Sequence, residues 1–271
     1  SNHDCFAGDR LWRQFGGDAA AYRLAAASYI FTSNTPFVYY GEEVGLAQNQ
    51  EKGDSSLRSP MSWTGEGATA GFTLKTLLPN GMALSTNAVT HNVQDEEKDP
   101  ASLLTWYKQL LHARSKCNVF GGKSVVQSKP LEPVLSLTRT VGEKVGVIVI
   151  NYANESVEVT VATGASKAKF VPLLRSFISP TAAQNFPATS DSEGQIKLKV
   201  EGLSAVFHSH GCGDESDEDG SNPLVFVAII LSIVLFVCVA IFIDVLRSKR
   251  RNARPNGLLS DDRTQSSVEL A

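Results

Sequence analysis

The chain has 271 residues, 25 Lys and Arg against 28 Asp and Glu, a formal net charge of -3 and 42% hydrophobic residues. That balance describes a globular protein, and basic residues gather only in the C-terminal tail, which excludes a nucleic-acid interface. The four cysteines are too widely spaced to match a metal-binding motif.

Taken in order, the chain begins on Ser1-Asn2-His3-Asp4, with neither a start methionine nor a leader, so further sequence is expected upstream. Asn2-His3-Asp4 precedes a glycine-containing loop and on its own reads as a surface turn. Residues 19–31 are rich in alanine and predict a helix, with Asp18 as its cap and Asn34-Thr35-Pro36 as its end. Phe37-Val38-Tyr39-Tyr40 has no alternation and predicts a strand buried on both faces. Gly41-Glu42-Glu43 follows at its C-terminal end, the end that carries active sites in barrels. Glu42 and Glu43 are therefore candidates for catalysis, or for a salt bridge or loop cap.

Residues 44–100 form a long irregular stretch, and a loop of that length in a compact domain usually has a function. Within it, Arg58 and Trp63 pair a polar group with an aromatic plane. A sugar offers both hydroxyls and apolar C–H faces, so this pair suits a carbohydrate as well as a packing corner. Asp99-Pro100 then signals a helix that carries Leu103, Tyr107, Leu110, Leu111 and Arg114 at helical spacing. Helix, buried strand, long loop and helix are the rhythm of a β/α barrel or a doubly wound sheet. Beyond residue 120 the pattern changes to short strands at 134–138, 145–151, 157–161, 169–174, 196–200 and 205–208, which predict an antiparallel β domain.

The C-terminal portion reads as a membrane anchor. Leu224 to Ile243 is a 20-residue run without a charge. As a helix it spans about 30 Å, the thickness of a hydrocarbon core. Acidic residues precede it, and Arg247, Lys249, Arg250, Arg251 and Arg254 follow it, which puts the tail in the cytoplasm. The expected topology is a single-pass type I membrane protein with the large portion extracellular or lumenal. On that side lie Cys5, Cys117 and Cys212, an odd number, so one is free or pairs with a cysteine upstream; Cys238 falls in the span. The sequon Asn154-Glu155-Ser156 sits there too, in a turn between strands, and predicts glycosylation at Asn154.

Four segments together resemble the α-amylase family of glycoside hydrolases: Asn2-His3-Asp4, Gly17-Asp18 with the alanine-rich helix, Thr35 to Gly45, and Arg58-Ser59-Pro60-Met61-Ser62-Trp63. They occur in the family's order, and the resemblance extends over about residues 1–210. The resemblance implies an α/β fold class: the C-terminal part of a (β/α)8 TIM barrel, followed by an antiparallel β-sandwich domain and, from the sequence itself, one transmembrane helix. The expected divisions are residues 1–118 for the barrel part, 119–211 for the β domain, 212–223 for an acidic linker, 224–243 for the span and 244–271 for the tail.

The resemblance also implies a chemistry. The full-length protein would hydrolyse α-glucosidic bonds in α-1,4-glucans or maltooligosaccharides with retention, a reaction shared with glucosyl transfer. Asp4 matches the carboxylate that stabilises the transition state, and His3 and Arg58 match substrate-binding positions. The nucleophile and the general acid/base match nothing in this chain, so the chain alone is expected to be inactive. No cofactor is expected within it; Ca2+ is common in the family, with ligands mostly upstream, and the metal site here is unknown. The implied partners are an α-glucan or oligosaccharide and a lipid bilayer, with no nucleic acid; the oligomeric state is open. Two positions depart from the family pattern. Ala7 stands where many members have an arginine, a place Arg10 reaches if the turn is longer, and Thr64 stands where many have an aspartate. The alternative is a non-catalytic membrane-bound ectodomain of the same fold, acting as a receptor or partner subunit.

Overall fold

The computed structural model describes residues 1–79, 81–174 and 185–212, which belong to one compact unit. The acidic linker beyond Cys212, the apolar run and the tail lie outside the described residues. Among the described residues, no helix is long and apolar enough to cross a membrane.

The first half is helical and looped. A short helix, α1 (Leu11–Gln14), leads into α2 (Ala19–Thr32), whose N-terminus is capped by Asp18 accepting from the amides of Ala20 at 2.8 Å and Ala21 at 3.1 Å. A single turn, α3 (Val93–Glu96), precedes α4 (Leu103–Lys116). The predicted start at Asp99-Pro100 is displaced to Ser102, whose hydroxyl accepts from Thr105 N at 3.1 Å. Glu96 adds a second cap by accepting from Leu104 N at 2.9 Å, placing negative charge at the positive end of the helix.

Phe37-Val38-Tyr39 departs from expectation. It joins no helix and no sheet, and Phe37 is 85% exposed. A strand buried on both faces needs a neighbour on each side. Every strand pair among the described residues is antiparallel and belongs to the second half, so this segment has no ladder to enter.

The second half contains β1 (Lys123–Val126), β2 (Val134–Val141), β3 (Lys144–Asn151), β4 (Val157–Ala162), β5 (Lys169–Leu174), β6 (Ala188–Thr189), β7 (Gln195–Val200) and β8 (Ser204–His210). Six strands form one antiparallel sheet in the order β1-β2-β3-β8-β5-β6, and β4 and β7 form a second. β3 lies in the middle of the larger sheet and is buried on both faces. Val145, Val147 and Val149 face a core shared with Val161 of β4 and with Ile196, Leu198 and Val200 of β7. Ile148 and Ile150 face the other way, into a core shared with Ile30 and Phe31 of α2 and Tyr107 and Leu110 of α4. The large sheet is thus covered by a two-stranded layer on one side and by two helices on the other. Alternation dictates this on β4 and β7: the valines and leucine turn inward, while Glu158 pairs in register with Lys199 on the solvent side.

Two further links join the halves. Cys117, after α4, forms a disulfide with Cys212, after β8, and Cys5 is exposed and forms no disulfide among the described residues. Arg139 of β2 is buried and donates to the carbonyls of Phe31 (3.2 Å), Thr32 and Phe120 (2.9 Å) and to Asn34 Oδ1 (2.9 Å). Arg114 of α4 reaches the carbonyls of Ile30, Ser33 and Asn34. Two cations therefore satisfy the carbonyls at the C-terminus of α2, where the helix dipole favours positive charge.

Candidate active site

The site is built from two loops. The first is residues 1–10, whose Asp4 begins the 3-10 turn Cys5–Ala7. The second follows Tyr40 and contains another 3-10 turn, Gly53–Leu57, that delivers Arg58. Asp4 and Arg58 meet at the seam: Arg58 Nη2 lies 3.0 Å from Asp4 Oδ1. Arg58 Nε also donates to the carbonyl of His3 at 3.0 Å. His3 Nε2 lies 3.4 Å from Asp4 Oδ2. The three residues singled out by sequence therefore converge, although 54 positions separate Asp4 from Arg58. The side chains of Asp4 and Arg58 are 30% and 48% exposed, so both remain open to a ligand.

Asp54 completes this corner and was not signalled by any motif. Its Oδ2 accepts from Arg58 Nη2 at 3.0 Å, and its Oδ1 accepts from Cys5 N at 2.8 Å. The Cys5 amide holds the Asp54 carboxyl below the usual range, with Arg58 adding to the effect. The same carboxylate pushes the Cys5 thiol up.

Arg10 fixes the loops from beneath. It is fully buried, and its Nε and Nη2 donate to the Leu57 carbonyl at 3.0 and 2.7 Å, while Nη1 donates to the Tyr40 carbonyl at 2.8 Å. Its guanidinium lies 4.6 Å from the Tyr39 ring centre and 4.9 Å from that of Tyr40. The two tyrosines thus clasp an arginine, and burial with the neighbouring phenol raises Tyr39 to about 12. Gly41 is required next to them. Its φ is +83°, and a Cβ there would stand 2.8 Å from Leu46 and 3.2 Å from Arg10.

Of the two candidate carboxylates after the expected strand, Glu42 is buried. It accepts from Ser1 Oγ at 2.5 Å and from Tyr29 Oη at 3.2 Å. Its backbone carbonyl accepts from Tyr22 Oη at 2.8 Å. This is an internal polar anchor. Glu43 is half-buried, and burial raises its carboxyl. Trp63 is 50% exposed in the second loop. Asn154 lies exposed in the turn between β3 and β4, away from the corner. Among the described residues, no group of three His, Cys, Asp or Glu converges to hold a metal ion. An apolar cavity of about 580 Å³ between α1 and α2 shares no lining residue with the corner.

Residues 1–121 match the family model described as the catalytic domain of α-amylase. Alpha-amylase SusG of Bacteroides thetaiotaomicron is 29% identical over 179 residues, which is 63% of this chain and 24% of that protein. Alpha-amylase 3 of Dictyoglomus thermophilum is 33% identical over 134 residues, 47% of this chain and 24% of that protein. The crystal structure of the trehalulose synthase MutB from Pseudomonas mesoacidophila superposes with a TM-score of 0.59 at 20% identity, covering 78% of this chain and 42% of that one. The chain spans about a quarter of the length of the curated relatives it matches. The structural likeness makes the fold that of part of a (β/α)8 barrel, and the family match identifies residues 1–121 as part of an α-amylase-family catalytic domain.

Proposed function

We propose that the complete protein carrying this chain cleaves α-glucosidic bonds in α-1,4-glucans or maltooligosaccharides with retention, and that Asp4 is one of its three working carboxylates. The observation that carries the reading is the convergence of Asp4, His3 and Arg58 at one open seam. Asp4 binds hydroxyls of the glucose unit at the cleaved bond and strengthens its hold as the ring flattens toward the oxocarbenium-like state, which lowers the barrier. His3 hydrogen-bonds the same sugar. Arg58 orients Asp4 through their 3.0 Å contact and lies near the substrate entrance.

A retaining site needs a nucleophile and an acid/base carboxyl roughly 5 Å apart. In this reading both lie upstream of Ser1, and the chain alone is inactive. Residues 119–211 are the β-sandwich domain that follows the family's barrel. Leu224 to Ile243 anchors the protein, with Asn154 glycosylated outside and the tail in the cytoplasm. An exposed sequon in a turn and a disulfide between Cys117 and Cys212 support an oxidising compartment.

The test is maltotriose hydrolysis by the complete protein, with the product anomer followed by NMR. Release of the α-anomer supports the reading. Release of the β-anomer contradicts retention, and saturable binding without turnover supports the non-catalytic ectodomain instead.

A further inference from the structure

Resting on that reading, we propose that Asp54 is the positioning residue that locks the catalytic loop to the substrate loop. Asp54 places one oxygen on each loop: Oδ1 on Cys5 N, next to Asp4, and Oδ2 on Arg58 Nη2. The two contacts, at 2.8 and 3.0 Å, act through the peptide immediately after Asp4 and through the guanidinium that itself touches Asp4.

The geometry explains why a second carboxylate stands here. The Nη2 nitrogen of Arg58 serves Asp4 and Asp54 together, and its Nε serves His3. With Asp54 in place, the guanidinium is held from both sides and cannot swing wholly onto Asp4. Asp4 then keeps its second oxygen, Oδ2, for the side where His3 lies. Without Asp54, Arg58 would lose one of its two anionic partners, and the amide of Cys5 would lose its acceptor. The first loop would then have freedom at the residue next to Asp4. Displacements of about 1 Å at a catalytic group cost on the order of a hundredfold in rate.

Cys5 provides a readout that needs no catalysis. Its thiol is exposed, and its chief perturbation is Asp54, with Asp4 the other nearby carboxylate that acts on it. Removing the Asp54 charge should make the thiolate form more readily, and the thiolate is the species that alkylates.

The experiment compares Asp54→Asn and Asp54→Glu with the wild type in the complete protein. It measures kcat and KM on maltotriose, and the rate of Cys5 alkylation by iodoacetamide at pH 8 by peptide mass spectrometry. Asp54→Asn should lower kcat by about 10- to 100-fold with KM within about threefold, as expected for a group that acts through Asp4. Alkylation of Cys5 should rise by about threefold or more. Asp54→Glu should recover most of both. Unchanged alkylation in Asp54→Asn would overturn the anchoring of the loops, whatever the activity. Faster alkylation with unchanged kcat would overturn the positioning role. If the wild type turns over no glucan, the proposed function fails, and the alkylation result still decides whether Asp54 joins the loops.

Discussion

Arg10 donates to backbone carbonyls in two segments that follow it by 30 and 47 positions, with two tyrosine rings against its guanidinium. Its replacement by leucine removes the Tyr40 carbonyl's bond from Nη1 and leaves the Leu57 carbonyl with only the Tyr39 hydroxyl at 3.2 Å. Hydrogen bonds from a charged group contribute about 1.5–3 kcal/mol each, so Arg10→Leu should destabilise this unit by at least about 3 kcal/mol in urea unfolding. Arg10→Lys should recover only part, because an ammonium cannot fork onto two carbonyls. A loss below about 1 kcal/mol for Arg10→Leu would show that the clasp contributes little. Asp4, His3 and Arg58 were legible in the sequence because their motifs are short and ordered. Arg10 was visible only as a possible substitute for the arginine absent at Ala7. Asp54 was not visible at all, since a carboxylate in a loop has no periodicity and its partners lie 49 and 4 positions away.

At the scale of elements, the six strands anticipated from alternation and β-branched runs all form, since each needs only its own residues to declare which face is buried. β1 was missed because all four of its residues are exposed, and β6 because it has two residues. The strand expected at Phe37 to Tyr40 shows the limit of local reading: its composition calls for neighbours that the described residues do not contain. β8 carries a testable charge effect. His208 is fully buried, with Nε2 donating to the Phe186 carbonyl at 3.2 Å and Nδ1 without a partner among the described residues. Burial pushes its imidazole down to about 4. The fold therefore prefers the neutral ring. Its contribution is complete above the unfolded value of about 6.5 and is lost as pH falls from there toward 4, by about 3 kcal/mol in all. His208→Leu should flatten the acid side of a plot of unfolding free energy against pH. Equal slopes for variant and wild type between pH 6.5 and 4 would contradict this.

Across the whole described unit, helices and sheet share one core, and the Cys117–Cys212 disulfide closes a span of 95 residues around it. A loop of that length corresponds to about 4–5 kcal/mol of chain entropy removed from the unfolded state. The double variant Cys117→Ser, Cys212→Ser should unfold at markedly lower urea concentration, and an unchanged midpoint would show that the bond adds nothing. The pairing itself could not be read from three cysteines, because proximity of residues 117 and 212 follows from β8 lying beside β3 with α4 packed behind the sheet. The proposed topology predicts that protease added to intact cells or sealed vesicles spares residues beyond Arg247. Digestion of that tail from outside would reverse the orientation.

The central claim is that the seam of Asp4, His3 and Arg58 belongs to a working glycosidase. It is tested most directly by the turnover of maltotriose by the complete protein and its Asp4→Asn variant, with circular dichroism as the control for folding. Asp4→Asn keeps the shape of the side chain and removes its charge, so kcat should fall by about three orders of magnitude or more while the fold is intact. A correctly folded Asp4→Asn variant that turns over as fast as the wild type would contradict the assignment of Asp4.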